Sequence, residues 1–87
     1  MKYVANIYVG LQKGYTDPEG DTTAMALRGL GYSVTEVKTG KAYEVVFEAE
    51  NVEEAEAIVE QMCKRQMSNP VKDYHSFEIK ELKNIDR

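Results

Sequence analysis

The chain has no tryptophan, one cysteine, one histidine and two prolines in 87 residues. Each scarcity excludes something. A lone Cys63 cannot build an internal disulfide framework. A lone His75, with no second His and no nearby Cys, cannot supply the three or four converging ligands of a zinc site. There is no run of Lys or Arg: 11 basic residues face 15 acidic ones, for a net charge of −4. That balance excludes a phosphate-backbone partner as the first reading, so nucleic acid is not expected. No apolar stretch approaches the roughly 20 residues that cross a bilayer, so no membrane is expected either, and cytoplasm is the simplest compartment. The start, Met1-Lys2-Tyr3-Val4-Ala5-Asn6, alternates apolar and polar residues and lacks the continuous apolar core of a signal peptide. One short domain is expected, residues 1–82, with a polar tail at 83–87. A domain of this size buries only about 60–65% of its unfolded surface, which disfavours a deep private active site and favours completion by association.

What is present is a clear periodic pattern. Tyr3, Ala5, Ile7, Val9 and Leu11 alternate with Val4, Asn6, Tyr8 and Gly10, a strand with its first set facing the core. Asp17 can cap a helix and Pro18 suits its first position. That helix runs from Pro18 to Leu30, with Gly20, Thr23, Ala24, Leu27 and Leu30 on one face turned to the sheet, and Gly31 suits the left-handed residue at its end. Val34 to Thr39 reads as a short strand, Gly40-Lys41 as a hairpin turn, and Tyr43 to Glu50 as the next strand. Asn51 with Glu54 three residues on forms a capping-box pattern for a second helix, striped by Val52, Ala55, Val59, Met62 and Cys63 and stopped by Asn69-Pro70. A last strand spans Tyr74 to Leu82, with Phe77 and Ile79 inward.

The order β-α-β-β-α-β predicts an α+β, ferredoxin-like two-layer sandwich: an antiparallel four-stranded sheet with two helices on one face. The other face is left open. It carries Val4, Tyr8 and Val46 among Asn6, Glu44 and Glu48, a partly apolar surface suited to a second copy, so a homo-oligomer is expected.

No set of residues reads as catalytic. Cys63 lies on an apolar stripe, where a buried thiol is the expectation. Glu53, Glu54, Glu56 and Glu60 read as a solvated helix face, with Glu60 placed to pair with Lys64. Gly40-Lys41 lacks the upstream glycine and following helix of a phosphate loop. Lys38, Lys41 and Arg28 could form a small basic spot for an acidic partner. Six tyrosines suggest base stacking, but the acidic balance and the missing glycine/aromatic/basic run disfavour RNA.

The layout Asp17-Pro18-Glu19-Gly20, Leu30-Gly31-Tyr32, Gly40-Lys41, with Val9-Gly10-Leu11-Gln12-Lys13 upstream and Ser68-Asn69-Pro70-Val71 downstream, resembles PurS, the small-subunit family of phosphoribosylformylglycinamidine (FGAM) synthase. The resemblance covers about Lys2 to Leu82. It implies a non-catalytic subunit joining a glutaminase to a large ATP-dependent synthase subunit and supporting ammonia transfer in purine biosynthesis. ATP and Mg would serve the complex, with no cofactor bound by this chain. Partner-binding residues would be Tyr15, Asp17, Pro18, Gly20, Lys38, Gly40, Lys41, Asn69 and Pro70, with the loop Tyr15–Gly20 and the turn Lys38–Lys41 as two separate contacts. Lys38 departs from the arginine often found there, which keeps the charge but loses a bidentate fork. Residues 72–77 are also less acidic than in the usual pattern. The alternative class sharing this element order is an ACT-type module that binds an amino acid between subunits, with Gly10 and Gly14 as its only signal.

Overall fold

The structure, a computed structural model, describes residues 1–83. Its elements are β1 (Lys2–Leu11), α1 (Pro18–Gly29), β2 (Gly40–Glu48), α2 (Val52–Met62) and β3 (Asp73–Glu81). The expected tail at 83–87 lies outside the described residues except for Lys83.

β1 is the central strand of a three-stranded sheet ordered β2-β1-β3, antiparallel to both neighbours. Its odd positions carry out the sequence pattern. Ala5, Ile7 and Val9 form the core with Val59 of α2 and with Cys63 just after it, and Tyr3 packs with Ala49 and Ala55. The register places Phe77 and Ile79 of β3 and Tyr43, Val45 and Phe47 of β2 on this same face. α2 starts where Asn51 accepts from the Glu54 N–H at 2.8 Å, and Glu54 in turn accepts from the Glu50 N–H. It ends in one π-helical turn, Cys63–Met67, closed by the Ser68 N–H on the Cys63 carbonyl.

Two expectations fail in the first half of the chain. The strand Val34–Thr39 is not formed: residues 32–39 carry no regular structure. Gly40-Lys41 is not a hairpin turn but the start of β2, with Gly40 opposite Gly10 and Lys41 opposite Val9. Among the described residues only Gly14 and Gly31 have positive φ, so Gly40 does not adopt the left-handed backbone that a two-residue hairpin requires. The chain enters β2 without a hairpin turn at Gly40. Among the described residues the sheet therefore has three strands, not the four expected.

α1 also departs from its expected place. Gly20 and Ala24 are buried, but against residues of the 35–39 segment and the Asp17 carboxylate rather than against the sheet. Leu27 is half-buried and Leu30 is 74% exposed. α1 makes no more than glancing contact with any strand or with α2. The longest dimension of the molecule is 49 Å. That exceeds the roughly 33 Å of a ten-residue strand by nearly the length of a twelve-residue helix, about 18 Å. α1 and residues 30–39 form an arm that projects beyond the sheet, and only α2 covers the core face.

Candidate partner-binding surface

The base of the arm is built around Asp17. Its carboxylate caps α1 by accepting the Gly20 N–H at 3.0 Å. The same group accepts the Thr39 N–H at 2.6 Å and the Thr39 hydroxyl at 2.9 Å. Asp17 is 6% exposed. The Thr39 N–H first, then the Gly20 N–H, hold its carboxyl below the ordinary carboxylate value, against the opposing effect of burial; the Thr39 hydroxyl and Lys38 charge add to this. The loop and the Lys38–Lys41 segment, expected to be two separate contacts, are thus one unit.

The glycines serve this unit sterically. A Cβ at Gly20 would run into the Val37 carbonyl oxygen, and one at Gly40 into the ring of Tyr8. Tyr8 in turn lies 5.9 Å from Tyr74, ring centroid to centroid. At the far end of the arm, Arg28 donates to the Val34 and Thr35 carbonyls, each at 2.8 Å. Arg28 therefore pins the arm to itself. Lys38 pairs with Glu36 at 3.6 Å on the exposed surface.

A second cluster sits beside this base. Asn69 makes an Asx turn by accepting the Val71 N–H at 3.0 Å, and its own N–H donates to Asp73 at 2.9 Å. That bond first, then Lys72 and Lys41, hold the Asp73 carboxyl low, again against burial. Gln12 donates to the carbonyls of Pro70 and Asp73, and the Tyr15 hydroxyl to that of Val71 at 3.1 Å. Tyr15 and the Asn69-Pro70 turn, far apart in sequence, thus meet on one exposed surface whose apolar tip is Val71. Gln12, Thr39, Val71 and Asp73 were missed by the sequence reading. Of these, only Asp73 had a local signal, its i,i+4 spacing from Asn69. A cleft of about 300 Å³ lies between the two clusters, edged by Gly10, Thr39, Lys41, Met67, Lys72 and Asp73.

The remaining candidates have structural partners. His75 Nε2 lies 3.0 Å from Glu60, which also pairs with Lys64 at 3.7 Å as expected. Cys63 is fully buried, and burial pushes its thiol up, away from the reactive thiolate. Among the described residues no group of His, Cys, Asp and Glu is placed to hold a metal ion. Of the expected oligomer contacts, Val46 is exposed and Tyr8 half-buried on the open face, whereas Val4 is 6% exposed within the chain itself.

Residues 4–81 match the family model for PurS, phosphoribosylformylglycinamidine (FGAM) synthase. The chain belongs to the PurS family. The FGAM synthase subunit PurS of Methanocaldococcus jannaschii is 43% identical over 79 residues, 90% of this chain and 93% of that protein. The structure of Thermus thermophilus PurS superposes with a TM-score of 0.88 at 39% identity, covering 95% of this chain and all of that one. A chain of the Thermotoga maritima PurLQS structure superposes with a TM-score of 0.80 at 32% identity, covering 94% of this chain and 99% of that chain. The family is that of a subunit of a purine-biosynthetic ligase complex.

Proposed function

We propose that this chain is the non-catalytic small subunit of an FGAM synthase. It joins the glutaminase to the large ATP-dependent subunit and supports ammonia transfer in converting FGAR, glutamine and ATP to FGAM. ATP and Mg serve the large subunit, and this chain binds neither. It acts in the cytoplasm. The observation that carries this reading is the match over residues 4–81 together with the fit to a chain of a PurLQS assembly. The site chemistry agrees: Asp17, Asp73, His75 and Cys63 are each engaged by hydrogen bonds, ion pairing or burial.

The arm base and the Tyr15–Asn69–Pro70 surface are the proposed contact with the larger subunits. Pro18, Gly20 and Gly40 shape it; Tyr15 and Lys41 meet the partner, Lys41 as a steering charge whose effect fades with salt. The chain also self-associates as a homo-oligomer, with Tyr8 and Val46 candidates for the contact and Val4 behind them.

Reconstitution from purified subunits tests the role. Glutamine-driven FGAM formation should require this chain, while formation from added ammonium should not. Equal glutamine-driven turnover without it would overturn the reading. Tyr15→Ala with Lys41→Ala should weaken assembly at least tenfold by titration; native affinity would move the contact elsewhere.

A further inference from the structure

Nothing in the subunit role uses the cleft between the arm base and the Asn69 turn. Its volume is about 300 Å³, the lower end of the range for small-molecule sites. Part of its wall is apolar: Val9 and Leu11 of β1, with Met67 beside them. Met67 is the last residue of the π-helical turn and packs on the core cluster. Single π-helical turns recur at functional sites, and this one ends α2 at the cleft.

Four charged side chains also line the cleft, two of each sign: Lys41 and Lys72, Glu19 and Asp73. One pair is already spent. Lys72 lies 3.5 Å from Asp73, and Asp73 also accepts the Asn69 N–H. The other two are unspent. Lys41 stands near enough to Asp73 to help hold its carboxyl low, yet among the described residues its ammonium makes no hydrogen bond or close ion pair. Nor does the carboxylate of Glu19, in the first turn of α1. The cleft therefore offers one free cation and one free anion beside an apolar wall.

That combination selects among ligands. A phosphate or a nucleotide would meet as many carboxylates as ammonium groups, with no net charge to draw it in. A purely apolar molecule would take water from charged groups and replace none of its hydrogen bonds. A molecule with both an ammonium and a carboxylate satisfies both free groups, each through a charge-assisted hydrogen bond.

We infer that this cleft binds a free α-amino acid. The ligand's carboxylate meets the Lys41 ammonium, its ammonium meets the Glu19 carboxylate, and an aliphatic side-chain stem lies against Val9, Leu11 and Met67. Lys72 and Asp73 stay paired and fix one side of the cleft. Lys41 and Glu19 must each be ordered on binding, which holds the expected dissociation constant to roughly millimolar. Glu19 belongs to α1 and Lys41 to β2, so the ligand ties the arm to the sheet. The cleft also lies between the two parts of the proposed contact surface, so amino-acid supply would be felt there.

The test titrates the isotope-labelled full chain with L-leucine and with L-glutamine to about 10 mM, roughly ten times the expected dissociation constant. At least one of them should give saturable amide shifts centred on Leu11, Thr39, Lys41, Met67 and Asp73. Isocaproate, which lacks the ammonium, and isoamylamine, which lacks the carboxylate, should each bind roughly tenfold more weakly than leucine or worse. Equal binding of either analogue would overturn the inference, because one charge would then suffice. So would the absence of saturable shifts with both amino acids, or shifts centred elsewhere. Lys41→Met and Glu19→Gln should each weaken binding about tenfold while the chain stays folded by circular dichroism. Native affinity in either variant would overturn the pairing of charges. No other subunit is present in these titrations, so the subunit role, read by glutamine-driven synthesis, stands or falls separately.

Discussion

The sheet with α2 and the arm with its segment 30–39 are held together by different means. In the sheet half, Ala5, Ile7, Val59 and Cys63 are almost wholly removed from water, and a full ladder on both sides of β1 satisfies its backbone. In the arm, burial is confined to Asp17, Gly20 and Ala24, and the work is done by polar bonds: Asp17 to Thr39 at the base and Arg28 to Val34 and Thr35 at the tip. Apolar burial contributes by area, whereas exposed polar bonds exchange with water for little net gain. The sheet half has what an independent fold needs. The arm has a defined shape but little that would stabilise it alone, which is what an element completed by association looks like.

The largest effect should come from the sheet half. Ile7→Ala removes the most bulk from a closed core and should lower unfolding free energy by about 2–5 kcal/mol in denaturant titration. The loss should not vary with protein concentration. A cost under about 1 kcal/mol would mean that the core is not where stability resides.

Gly20→Ala attacks the arm at its tightest point, where the new Cβ would meet the Val37 carbonyl and, at 2.9 Å, the Asp17 carboxylate. Overpacking of this kind costs about 1–3 kcal/mol. Hydrogen exchange should show the loss in the arm amides and not in β1. Uniform loss through both halves would show that the two are one cooperative unit.

Acid should separate the halves next. Asp17 and Asp73 both titrate below the ordinary value of 3.8. Their stabilisation is therefore fully present above that value and is lost as the pH falls below it through the depressed folded values. Asp17→Asn should flatten part of that fall in melting temperature, leaving the share due to Asp73. An unchanged acid profile would mean that Asp17 does not hold the base of the arm.

The smallest effect is at Tyr15→Phe, which deletes one exposed hydroxyl bond to Val71. About 0.5–1 kcal/mol or less is expected from thermal melts. A larger loss would mean that this surface supports the fold rather than a partner.

The sequence made the sheet half legible because its signals are local: period-two alternation in β1, β2 and β3, and the Asn51/Glu54 cap with the Ala55-Val59-Cys63 stripe. Asp17, Pro18 and Gly31 likewise marked the ends of α1. What failed was placement. Gly40-Lys41 fits a turn as well as a strand start, and the choice depends on Asp17 reaching Thr39 and on Tyr8 lying over Gly40, contacts across 22 and 32 positions that no local pattern encodes. The partner surface was half legible for the same reason. Tyr15, Asn69 and Pro70 stood out as a loop aromatic and a helix stop, whereas Gln12 and Val71 gain their roles only once β1 and the Asn69 turn are side by side.

Amide hydrogen exchange measured across a dilution series reads the contrast between the halves most directly. If the arm is completed by association, protection of residues 18–39 should fall steeply as dilution drives the chains apart, while Ala5, Ile7 and Val9 stay protected. Arm protection that is constant while light scattering shows the same dilution separating the chains would contradict it, and would show that the arm holds its shape alone.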